Sequence, residues 1–322
     1  MTKFINLNVV WTKSKNDWTG VSGVAFSPDL NYLAIVCWHK CTVELMSVAN
    51  GERIWKKELK PQLLITSCNM AYSSNGKYLA ITNDNSNDNA VQVLDAINEG
   101  KCIWEDSNIT AASDLAFSPD GKYLVVGYPQ TGTIRLLNTA NWNEVWKVEK
   151  PDLTGVYSID YSPNGDYIVV SCTDNNYVKL MNVKDGSEVW TKGSVGRPYS
   201  VAFSPDSKYI AVVYKNFHAD IVELWNSNNG SEIWNKPKNI GTNNFCKLEA
   251  NSVVFSPDGK YLAIARRKTL TIMDPSDGSI LKVKVKGNVN LEDVCSIAFS
   301  PNGKCMAIAS EKSDVVRLMT IL

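Results

Sequence analysis

FSPDGKYLVV, running from Phe117 to Val126, reads as a tight turn entering a β-strand. Proline presets φ, Asp-Gly supplies a turn residue with φ above zero, and the apolar run that follows is strand-sized. The same turn recurs as FSPD at Phe26, YSSNG at Tyr72, YSPNG at Tyr161, FSPDS at Phe203, FSPDG at Phe255 and FSPNG at Phe299. Successive aromatics are 46, 45, 44, 42, 52 and 44 residues apart, so the chain contains seven units. A period of this size marks a repeat architecture.

Each unit reads alike. A short strand ends at the aromatic (GVAF, DLAF, SIDY), the turn follows, and a second strand comes next (YLAIV, YLVVG, YIVVS). A variable loop leads to an alternating third strand (TVELM, TIRLL, YVKLM), and an Asn/Asp/Gly turn leads to a fourth that ends in tryptophan. No helical periodicity interrupts the pattern. Four antiparallel strands per unit describe a propeller blade, so the expected fold is all-β, one seven-bladed β-propeller spanning residues 1–322. Alanine precedes the aromatic in five units (Ala25, Ala71, Ala116, Ala202, Ala298), where a small side chain lets inner strands approach.

The fourth-strand tryptophans are Trp55, Trp104, Trp146, Trp190 and Trp234, with Leu281 in that place in the sixth unit. The seventh unit stops after its third strand, at Leu322. Trp11 stands 44 residues before Trp55, so the amino-terminal strand is expected to complete the last blade and leave no open seam.

These residues resemble the WD-repeat family over the whole chain. FSPDGKYLA followed by a V-x-L-W-D-like strand is similar to that family's second and third strands. The Trp-Asp pair survives only as Trp225-Asn226, and the Gly-His that opens a typical repeat is absent. The family's Asp-His-Ser-Trp hydrogen-bond tetrad is therefore not expected, and apolar packing is expected to hold the blades. The fourth-strand pattern NGERIWKKE also looks like the end of a quinoprotein blade; the FSPDG turns favour the WD-like reading.

Composition excludes several roles. Hydrophobic residues make up 44% and charged residues 20%, and 33 basic residues balance 33 acidic ones. Net charge is zero, so no long-range field draws the chain to nucleic acid or anionic lipid. No apolar run approaches the roughly 20 residues of a membrane-spanning helix. The amino terminus lacks the pattern of a signal peptide. Eight cysteines are scattered without a CxxC. The expectation is a monomeric, soluble, cytoplasmic protein in a reducing compartment.

Carried over from the resemblance, the loops between second and third strands share a face with those that enter each new blade. That face collects the irregular sequence, and loops on a rigid scaffold are where partners bind. The candidate contacts for another protein are Trp18, Trp38, His39, Lys40, Tyr128, Arg197, Tyr214, Phe217, His218, Phe245, Arg266, Arg267 and Lys268, chosen because aromatic and cationic side chains make good interface anchors. Cys37-x-His39-x-Cys41 does not have the spacing of a structural zinc site, and no metal or cofactor is expected. Asp160 interrupts the inner-strand alanines and is expected to hydrogen-bond locally rather than to hold an ion.

Only two histidines are present, His39 and His218, on loops of different units, and no phosphate-binding glycine loop precedes a helix. The function expected is a non-enzymatic interaction scaffold. The alternatives are a propeller hydrolase or lactonase with a site in the central channel, for which only Asp114 and Asp160 are available, and a structural subunit of a cytoskeletal or ciliary assembly. Deleting residues 1–12 is expected to destabilise the ring strongly; a truncated chain that melts like the full one would contradict closure by the first strand.

Overall fold

Second strands such as Tyr32–Cys37 and Tyr167–Cys172 are apolar at nearly every position. That pattern suits a strand covered on both faces. The computed structural model describes residues 3–14, 18, 20–59, 68–83, 90–106, 111–194, 196–215, 220–237, 252–266, 269–286, 291, 293–311 and 313–322. In it, both faces are covered by neighbouring blades. Leu33, Ile35 and Cys37 pack toward blade seven, and Ala34 and Val36 toward blade two. The apolar core is accordingly seven wedges, one at each junction between blades. The one helical turn among the described residues is the 3-10 turn Pro151–Leu153.

Six sheets have four strands in chain order, each strand antiparallel to the next. The turns between first and second strands are alike in chemistry. Ser27, Ser73, Ser118, Ser162, Ser204, Ser256 and Ser300 are all buried. In blade three the Ser118 hydroxyl accepts the Tyr123 N–H at 3.0 Å and donates to Asp120 Oδ1 at 2.7 Å. Asp120 in turn accepts the Lys122 N–H at 3.0 Å. The SPDG motif is thus a side-chain-satisfied turn, with Gly121 at φ +70. Leu30 and Ser207 take the same left-handed conformation in blades one and five, without the freedom of glycine.

The fourth-strand tryptophans join the blades. Five of the indole N–H groups donate to a backbone carbonyl at the start of the next blade's outer turn: Trp11 to Val48 at 2.8 Å, Trp55 to Ala96 at 3.2 Å, Trp146 to Val183 at 2.7 Å, Trp190 to Ser227 at 2.9 Å and Trp234 to Pro275 at 2.7 Å. The ring packs on that turn's glycine; a Cβ on Gly100 would lie 3.0 Å from Trp55. Blade three has Trp142 in the glycine's place, at φ +59, and it stacks on Trp104 with centroids 5.6 Å apart. These bonds correct the expectation that apolar packing alone joins the blades.

Just before each tryptophan the fourth strand bulges. Leu136 pairs with Trp146 and Leu137 with Glu144, so Val145 pairs with nothing and is exposed. Ile54, Ile103, Val189, Ile233 and Val10 hold the same position. A bulge twists an outer edge and so hinders strand addition.

The amino-terminal strand, Phe4–Ser14, completes blade seven as expected, pairing antiparallel with Val315–Ile321. The sheet it enters has five strands, a departure from the four-stranded plan. The sixth blade's outer strand stays in its own sheet only for Ser279–Ile280; it then crosses over as Lys282–Lys286 and pairs in parallel with Phe4–Asn8. Lys3 reinforces the seam through ion pairs with Asp274 and Asp277, at 2.5 and 3.0 Å. The reason lies in connectivity. Blade seven takes its last strand from the other end of the chain and so has no outer turn on which a tryptophan could dock. Leu281 stands where that tryptophan would be, and a shared strand replaces the indole bond.

Replacing Trp146 by Phe should cost about 1 kcal/mol in urea denaturation, because it strips a partly buried carbonyl of its donor. Replacement by Ala should cost about 3–5 kcal/mol. A Phe variant as stable as the parent would show that packing alone holds this junction.

Candidate functional site

First strands begin on the face that carries the long loops and run inward to the aromatic anchor, so their early residues surround the mouth of the central channel. Polar side chains there bridge successive blades. Asp114 Oδ2 accepts the Ile159 N–H at 2.7 Å, Ser158 the Val201 N–H at 3.3 Å, Ser200 the Val253 N–H at 3.1 Å and Ser296 the Val24 N–H at 3.3 Å. Asp160, two positions on from Ser158, accepts the Phe203 N–H at 2.7 Å. Asn69 donates to the Ser113 carbonyl at 2.8 Å, and Ser113 donates to that of Val156 at 2.6 Å. Asp160 is therefore hydrogen-bonded, but its partner belongs to the next blade, which corrects the expectation of a local bond.

Burial pushes the carboxyls of Asp114 and Asp160 up to about 7. Backbone N–H bonds to both oppose that shift, and the charge of Asp160 adds to it at Asp114. In the same first strands of blades four and five, Tyr157 and Tyr199 meet edge to face with centroids 5.2 Å apart. The sequence reading passed over this pair, although both tyrosines stand four residues before their anchors, Tyr161 and Phe203. Aligning the repeats by position would have found them.

The loop after the second strand of blade one presents the clearest surface feature. Trp38 is half-buried and stacks on His39 with centroids 3.7 Å apart, while His39 and Lys40 are exposed. The loop is pinned at both ends. The Trp38 N–H donates to Gly20 O at 2.9 Å and the Cys41 N–H to Trp38 O at 3.2 Å. Gly20, at φ +67, lets the two rings lie against the backbone: a Cβ there would sit 2.4 Å from the Trp38 indole. Asp314, from blade seven, accepts the Gly20 N–H at 2.7 Å.

Of the other predicted contacts, Arg197 is exposed at the start of the strand Arg197–Phe203. Three are not surface residues. Trp18 lies in the wedge between blades seven and one. Tyr128 is fully buried at a strand end and donates to Asp106 at 2.7 Å, beside Arg135. Tyr214 is fully buried in the wedge between blades four and five. Tyr128 and Tyr214 hold the strand-end position that Cys37 and Cys172 hold elsewhere, which points inward in every blade where it is described. Phe217, His218, Phe245, Arg267 and Lys268 lie outside the described residues, as does the side chain of Arg266, which ends the strand Leu262–Arg266. Cys37 and Cys41 point into different wedges, away from His39 on the surface. Among the described residues no group of three or more His, Cys, Asp or Glu is placed to hold a metal ion, and no helix is long and apolar enough to cross a membrane.

The two channel acids make stability depend on pH in a definite sense. Each binds its proton more tightly folded than unfolded, where the ordinary value is 3.8. Their contribution is therefore greatest below about pH 4, declines as pH rises to about 7, and is flat beyond. Asp160→Asn keeps an acceptor for Phe203 and should flatten the decline of melting temperature between pH 5 and 7.5. An unchanged slope would mean that Asp160 is ionised throughout.

No curated protein matches the chain. Comparison with protein families matches residues 39–289 to PQQ_2, described as outer membrane protein assembly factor BamB, rather than to a WD-repeat family specifically. The match runs from the Trp38 loop to the outer strand shared at the seam, and takes in the fourth-strand pattern that looks like a quinoprotein blade. A match over so much of the sequence places the chain in the PQQ_2 family of β-propeller proteins.

Proposed function

We propose that this propeller is a non-enzymatic scaffold that binds another protein on its loop-bearing face, with the Trp38–His39–Lys40 loop as one anchor. One contrast carries the reading. The channel acids are engaged by backbone N–H groups of the next blade, whereas an aromatic, an imidazole and an ammonium are displayed on a loop fixed at both ends. A fixed loop loses little conformational entropy on binding, and a half-buried indole offers apolar area without needing to rearrange. The family's description, an outer membrane protein assembly factor, supports a role in handling other proteins. The WD-like turns and a cytoplasmic setting remain part of the proposal, on the sequence pattern and on eight cysteines scattered without a CxxC.

The test is affinity capture from native cells with the wild-type chain and with His39→Ala/Lys40→Ala. That variant leaves Trp38 in place and should melt as the parent does. Wild type should enrich a discrete set of partners, and the variant should lose at least one of them by about fivefold or more, the scale of an interface anchor. Equal enrichment by both chains would remove the loop from the interface.

A further inference from the structure

The third strand of each blade carries one residue at the same register that faces the preceding blade: Glu44, Gln92, Arg135, Lys179, Glu223, Thr271 and Arg317. Where this residue is charged, its neighbours answer the charge. Glu44 accepts from Arg53 at 2.7 Å. Arg135 pairs with Asp106 and, at 2.7 Å, with Glu144. Lys179 pairs with Asp152 at 2.7 Å and Glu188 at 3.2 Å. Glu223 accepts from Trp225 and Asn235, both at 2.8 Å.

Arg317 departs from this rule. Its hydrogen bond among the described residues is a long one, 3.5 Å from Nη1 to the Ser310 hydroxyl, and no described carboxylate reaches it. The seam explains the difference. By repeat position, Glu144 of blade three corresponds to Val9, and Asp106 of blade two to Val283 on the crossed-over strand. Val9 thus stands where Glu144 answers Arg135, and the crossed-over strand that carries Val283 pairs with Phe4–Asn8, short of Thr12, the cross-strand partner of Arg317. Burial without a counter-charge also draws the guanidinium below its ordinary value.

What surrounds Arg317 on the same sheet face is hydroxyl-rich. Thr12 is its cross-strand partner, and Ser14 lies one pleat further along, opposite Val315; both are exposed. Ser310, also opposite Val315, is the buried hydroxyl already in contact. A half-buried guanidinium with hydroxyl donors beside it on the same sheet face is matched to a planar or tetrahedral oxyanion.

We infer that Arg317, with Thr12, Ser14 and Ser310, is an oxyanion-binding site at the junction of blades six and seven, taking a carboxylate or phosphate group. It does not depend on the Trp38 loop or on any partner of the loop-bearing face.

The full chain is melted in chloride, inorganic phosphate and glutarate at matched ionic strength. A saturable rise of about 2 °C or more is expected in at least one oxyanion, and which of the two raises it separates phosphate from carboxylate chemistry. Arg317→Met should melt at or above the parent in chloride and lose the rise, whereas Arg135→Met, which strands two acids, should melt lower. Thr12→Glu supplies a carboxylate from within and should also raise the melting point in chloride and abolish the response, which keeps the test open if Arg317→Met does not fold. Parent melting that ignores both oxyanions, a rise that survives in Arg317→Met, or a loss of stability in chloride like that of Arg135→Met would overturn the site.

Discussion

A blade of this chain has two apolar faces and can cover neither alone. The junction between consecutive blades is therefore the interaction on which everything else rests, and it must be made seven times around a closed ring. Each junction has an apolar wedge, and most add directional bonds: at four of them inner-strand side chains accept N–H groups from the next blade, and at five an outer-strand indole donates to the next blade's turn. The apolar part is tolerant of detail. The bonds fix the register and the rotation between neighbours.

Closure breaks the repetition in one place only. A chain with two ends must supply one blade from both of them, and that blade lacks the outer turn to which a tryptophan binds. Leu281, the crossed-over strand Lys282–Lys286 and the Lys3 ion pairs are the response. That no described carboxylate answers Arg317 follows from the same change, since the strand that crosses the seam pairs with Phe4–Asn8 and brings no acid to the register of Arg317. The exception to the repeat and the oxyanion site thus share one topological cause.

Burial also sets the chemistry of the channel. Asp114 and Asp160 connect blades at the cost of being held where a carboxylate ionises reluctantly, and their oxygens are turned toward backbone N–H groups. The Trp38 loop has the opposite character, with its backbone bonded and its polar side chains presented outward. Structure is concentrated toward the axis and display toward the loop face, an arrangement suited to binding.

The sequence by itself determined the number of blades, their strand order, the turn chemistry and the closure by the first strand, because each depends on patterns that recur within a few residues or at a fixed spacing. It also pointed to a hydrogen-bonded Asp160, but with a local partner where the structure has one from the next blade. It misplaced Trp18, Tyr128 and Tyr214, since an aromatic beside a variable loop reads alike whether the last residue of the strand turns in or out. Only the tertiary structure decided that direction, along with the acceptors of the indoles, the five-stranded seam and the isolation of Arg317. Those features depend on which residues of neighbouring blades meet, and pairings between separate units are set by the geometry of the ring rather than by local pattern.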